Sequence, residues 1–170
     1  MLRSGGQKMR LTLSEAAIAS MKDVSYDKAS QRATIKLSKE LPTGDIVVAI
    51  KYRGTMNDAM EGFYRAKYKP VETPAAGTPT DGKHHYMFST QFEACAARRA
   101  FPCFDEPNLK ASFEFEVEIP DDLVAISNMP EKATSKGSKS GFKKVSFEKT
   151  PAMSTYVSPP LILARPADHF

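Results

Sequence analysis

At 170 residues, 41% apolar and 26% charged, the chain can bury a core and is too apolar for wholesale disorder; it suits one domain with ragged ends. Its net charge of +4 comes from scattered lysines with no aromatic stripe between them, which argues against nucleic-acid binding. No window is apolar enough to span a membrane and no secretory signal is present, so the sequence reads as cytoplasmic, with a mitochondrial presequence as the weaker alternative; a Cys95–Cys103 disulfide fits the loop length, but a reducing compartment argues for free thiols.

Residues 1–21 read as a leader, loose or partly helical. From Val24 the pattern turns to strands. Val24 and Tyr26, a turn at Asp27–Ser30, then Ala33, Ile35 and Leu37 on one face predict a hairpin. Pro42–Gly44 is a turn, and "DIVVAIKY" (Asp45–Tyr52) predicts a strand apolar enough to be buried on both sides. Residues 70–83, rich in Pro, Gly and Thr, predict a loop, and "HHYMFST" a strand after it.

The strongest strand signal is "SFEFEVEI". Phe113, Phe115, Val117 and Ile119 fall on one face, and Glu114, Glu116 and Glu118 on the other, a strand dry on one side and wet on the other. "LVAISN" continues the chain, "EKATSKGSKSG" reads as a basic loop, and "FKKVSFEK" as another alternating strand. Short strands spaced by turns predict an all-β sheet or sandwich. The end, "VSPPLILARPADHF", is expected to be a tail over 157–170 whose "LILA" run has no evident partner inside the chain.

One segment concentrates polar chemistry. "STQFEACAARRAFPCFDEP" (Ser89–Pro107) holds two cysteines, adjacent arginines, three carboxylates and a glutamine. Arg98 and Arg99 are expected to form bidentate ion pairs with Asp105 and Glu106, and the cysteines to be small buried hydrophobes. Together with "NDAMEGFYRAKY" (Asn57–Tyr68), "SNMP" (Ser127–Pro130) and "SFEKTPAMSTY" (Ser146–Tyr156), in the same order, this segment resembles the N-terminal domain of zinc aminopeptidases of the aminopeptidase N and puromycin-sensitive type. The resemblance covers residues 22–156, and "KYKPVETPAAGTPTDG" is most similar to fungal members.

The resemblance implies a saddle-like antiparallel β domain forming one wall of an active-site cleft. It implies substrate-binding roles for Glu93, as anchor of the peptide's α-ammonium, and for Gln91, at the adjacent subsite. Ala96 stands where the family commonly has Asp. The family's zinc chemistry needs His-Glu-x-x-His, and this chain has only His84, His85 and His169; no catalytic residue, metal ligand or cofactor is therefore expected within it. "DAMEG" (Asp58–Gly62) faintly echoes a Gly-x-Met-Glu-Asn exopeptidase motif but sits inside the N-terminal-domain match, where Gly62 is expected to serve a turn before the strand at Phe63. Against the family pattern the chain starts late and stops early, which suggests a fragment inactive alone and open to self-association through an uncovered face. A non-catalytic peptide- or protein-binding β-sandwich module is the alternative.

Overall fold

A computed structural model describes residues 10–13, 18–19, 24–40, 43–44, 47–68, 85–157 and 162–164. The chain divides into two compact units, Met1–Gly54 and Thr55–Phe170. All its named strands pair antiparallel, and the described residues are all-β apart from two short 3-10 turns. The predicted loop at 70–83 and His84 lie outside the described residues.

In the first unit, β1 (Arg10–Leu13) lies between β2 (Ile18–Ala19) and β5 (Val48–Lys51). The predicted hairpin forms from β3 (Val24–Asp27) and β4 (Arg32–Ile35), with Val24 opposite Ile35 and Tyr26 opposite Ala33. The Asp27 carboxylate closes its turn by accepting from the Ser30 hydroxyl at 2.6 Å and the Ala29 N–H at 3.0 Å, which holds Asp27 below its usual pKa.

Two expectations fail here. The stretch read as a loose or partly helical leader contains β1 and β2, because the partner that makes Arg10–Leu13 a strand, β5, lies some forty residues away. The β5 region is not buried on both sides: Val47 is 73% and Val48 47% exposed. Among the described residues it is an edge strand, with β1 on one side.

Among the described residues the second unit holds two sheets. In one, β8 (Glu116–Pro120) and β10 (Glu131–Lys136) flank β11 (Phe142–Phe147). The other runs β6 (Gly62–Tyr68), β7 (His85–Gln91), β12 (Ile162–Ala164), β9 (Val124–Ile126). Their apolar faces share one core. Ile119, Val145 and Phe147 are buried at its centre, and Phe63, Phe88, Phe115, Val117 and Ala125 pack around them.

The alternation of "SFEFEVEI" is realised as predicted: the apolar residues turn in, and Glu114, Glu116 and Glu118 stay exposed. On that wet face Lys144 pairs with Glu116 at 3.0 Å and Ser138 donates to Glu118 at 2.7 Å. These surface contacts orient side chains but add little stability.

Two more expectations are corrected. The basic loop "EKATSKGSKSG" contributes β10, an edge strand exposed at every position, whose polar and lysine-bearing composition hid its strand character. The "LILA" run does have a partner: β12 pairs Ile162 with Ile126, Leu163 with Ala125 and Ala164 with Val124, and Leu163 also faces Phe88 of β7.

Candidate functional site

The polar segment starts on β7 and folds back against the start of β6. Seven residue pairs join these strands, from Tyr68↔His85 to Gly62↔Gln91, so the last strand residue of β7 is Gln91. Phe92, 5% exposed, drops into the interior and meets the Phe101 ring edge-on at 5.9 Å. The chain then turns sharply. The Ala96 N–H donates to the Phe92 carbonyl at 2.8 Å, and a 3-10 turn over Ala97–Arg99 follows. Ala96 and Ala97 are buried at 2% and 0%, while Glu93, Ala94 and Cys95 form an exposed crest. The Glu93–Ala94 peptide is cis.

Gln91 and Glu93 thus lie two residues apart at the end of β7, both exposed, and neither side chain bonds to another described residue. Their neighbours are held firmly. Asp105 is 3% exposed; its Oδ2 accepts from the Arg98 Nε at 2.9 Å and backbone N–H at 3.1 Å, and its Oδ1 accepts from the Thr155 hydroxyl at 2.8 Å. The carboxylate raises the already high Arg98 pKa further. The Ser154 hydroxyl donates to the Pro107 carbonyl, so residues 105–107 are tied to 154–155 at two points.

Arg98 therefore pairs with Asp105 as expected, its Nε meeting Oδ2 at 2.9 Å. Arg99 does not pair within the loop: its Nε meets Glu61 Oε1 at 3.1 Å, just before β6. Sequence proximity favoured Glu106, but the fold of the chain brings Glu61 closer. The Ala96 methyl is buried and its backbone N–H closes the turn.

The cysteines are both free but differ. Cys103 is half-buried, and burial, helped by the nearby Asp105 carboxylate, pushes its thiol up to about 11. Cys95 is exposed on the crest, against the expectation that both would be buried. At pH 8 only about one part in a thousand of Cys103 would be thiolate, the reactive form. An aromatic disulfide reagent is therefore expected to label one thiol quickly, and Cys95→Ser to abolish that fast phase. A fast phase surviving Cys95→Ser would refute this placement.

Among the described residues no three His, Cys, Asp or Glu side chains are grouped to hold a metal. His85 stacks edge-on against Tyr68, with ring centroids 5.8 Å apart. The described residues do not fit a zinc ion. No helix among the described residues is long and apolar enough to cross a membrane.

A family model for the peptidase M1 N-terminal domain matches residues 7–157. Aminopeptidase M1-D of Oryza sativa subsp. japonica is 40% identical over 135 residues, covering 79% of this chain and 14% of that protein. Aminopeptidase 2 of Candida albicans is 41% identical over 154 residues, covering 88% and 15%. The mitochondrial aminopeptidase 2 of Saccharomyces cerevisiae is 46% identical over 114 residues, covering 67% and 11%. The chain thus spans about one seventh of the length of the first two relatives.

Proposed function

The chain belongs to the peptidase M1 N-terminal domain family, and from that premise we propose that it recognises the free N-terminus of peptides cleaved by a zinc metallo-aminopeptidase. Glu93 supplies a carboxylate for the substrate α-ammonium, and Gln91 an amide that can both donate to and accept from the next peptide group. The observation that supports this best is their freedom. In a segment where Asp105, Arg98 and Arg99 are engaged with one another or with distant residues, the side chains of Gln91 and Glu93 face solvent without a bond to another described residue.

The recognition is electrostatic and geometric. Glu93 faces solvent in this chain, and where the rest of such an enzyme closes over it, the carboxylate binds an ammonium far more strongly than it would in bulk water, because the effective dielectric falls. It also discriminates: a peptide blocked at its N-terminus leaves that carboxylate without a partner. In this reading zinc, where such an enzyme binds it, supplies the activated water, and this chain supplies binding and orientation.

The test is a hybrid in which residues 7–157 of this chain replace the matching segment of the Candida albicans aminopeptidase 2, assayed with an aminoacyl fluorogenic substrate. Losing one partner of a desolvated charge pair costs roughly 2 kcal/mol or more. Glu93→Ala should therefore lower kcat/KM by about thirtyfold or more. Glu116→Ala, on the wet face of β8, should leave it unchanged. Equal activity of the two variants would refute the anchor role. The 170-residue chain alone, which has no His-Glu-x-x-His, should release no fluorophore with or without added zinc; chelator-sensitive turnover by it would overturn the division of labour.

A further inference from the structure

The triplet Met60–Glu61–Gly62, which resembles an exopeptidase motif without being one, has a place in this site. Gly62 pairs with Gln91 across the β6–β7 ladder and sits at φ +73°, a backbone conformation that side chains with a Cβ rarely adopt. A Cβ built on Gly62 would stand 2.8 Å from the Arg99 Cβ and 3.6 Å from the Ala96 carbonyl oxygen. Gly62 therefore touches both sides of the site at once: Gln91 through the strand pairing, and the end of the turn carrying Glu93 through Ala96 and Arg99.

The loop before Gly62 is braced from within. Asn57 donates from its amide nitrogen to the Glu61 carbonyl at 2.9 Å and the Phe63 carbonyl at 3.4 Å, one on each side of Gly62. Glu61 reaches across to Arg99 at 3.1 Å. The backbone at Gly62 is thus held by its neighbours, and the 3-10 turn after Glu93 rests against it.

We infer that Gly62 is a positioning residue: its missing side chain lets the turn bearing Glu93 close onto the end of β7, which sets the placement of Glu93 relative to Gln91. This rests on the reading of Gln91 and Glu93 as the substrate-binding pair. With a methyl at position 62, the Arg99 Cβ must retreat by about 1 Å to reach an ordinary carbon–carbon separation. A displacement of that size in a binding constellation lowers turnover by roughly tenfold to a hundredfold.

The primary test uses the 170-residue chain and amide NMR spectra. Gly62→Ala should move the Gln91, Glu93 and Ala96 cross-peaks well beyond those of β8 and β11, and adding Arg99→Gly, which deletes the obstructing Cβ, should bring them part of the way back. Val145→Ala, a destabilising core change, should leave those three peaks in place, which separates positioning from loss of stability. Should Gly62→Ala not fold, Arg99→Gly alone opens the same gap and should move the same three peaks. Unmoved Gln91 and Glu93 peaks in the folded variants, or strictly additive effects of the two substitutions, would overturn the inference. In the hybrid enzyme, Gly62→Ala should lower kcat/KM as stated while Val145→Ala does not. If Glu93→Ala leaves turnover intact, the substrate-binding reading falls by itself, and the peak positions still decide whether Gly62 places the turn.

Discussion

Replacing Phe147 by alanine is expected to destabilise the second unit by about 3–5 kcal/mol, the range for deleting a buried aromatic from a core that only partly collapses around the space. Phe147 is 5% exposed and clusters with Ile119 and Val145, and its ring stacks on Phe115 with centroids 5.9 Å apart and planes 26° from parallel. Its N–H also donates to the Phe115 carbonyl, so the stacked pair is joined by backbone as well. Phe142, at the other end of β11, is the natural control. It lies on the wet face at 36% exposure, and its removal should cost well under half as much. Urea denaturation of the two variants checks the contrast, and equal midpoints would show that the core has been misplaced. A double-mutant cycle with Phe115→Ala should return a coupling of roughly 0.5–1.5 kcal/mol, as expected for an aromatic pair in contact.

The core was legible because its signal is local. In β8 the apolar and acidic residues alternate without a break, and a strand's two faces follow from that period alone. What the sequence hid are elements whose character depends on a distant partner. The β1 residues become a strand against β5, and β12 finds its place beside β9 and β7 from the far end of the chain. In β10 no face is apolar, so charge read as loop; only the ladder with β11 makes it a strand.

The same distinction divides the candidate site. Gln91 and Glu93 came from the family resemblance, not from any pattern in the residues. Gly62 and Asn57 were missed as parts of the site because their roles depend on a chain reversal. The contact with Arg99 bridges thirty-seven positions, and nothing at Asn57 announces that its amide will span two carbonyls across a glycine. A local signal existed in retrospect: an asparagine, a residue prone to bonding nearby backbone, five positions ahead of a glycine at the start of an aromatic-rich strand.

Asp105→Ala should be the second severe substitution, costing about 3–4 kcal/mol and lowering the melting temperature by on the order of 10 °C. The carboxylate is a hub between segments fifty residues apart, joining the Arg98 backbone and guanidinium on one oxygen and the Thr155 hydroxyl on the other. Its removal strands three donors. Thr155 is 4% exposed and gains little from water. The Arg98 side chain, at 29% exposure, can recover part of its hydration, which keeps the cost toward the lower end of the range for breaking a buried pair. Asp105→Asn keeps the shape and one acceptor oxygen while turning the other position into a donor facing a donor, so it should cost less, about 1.5–3 kcal/mol. Arg98→Ala should cost about as much as Asp105→Asn or more, since it leaves the carboxylate buried with two remaining donors, and the pair of substitutions together should cost less than their sum. Thermal unfolding of the four variants orders them. A loss under 1 kcal/mol for Asp105→Ala would mean that the loop carrying Gln91 and Glu93 is not held from this point, and that its shape comes from the packing of Phe92, Ala96 and Ala97 alone.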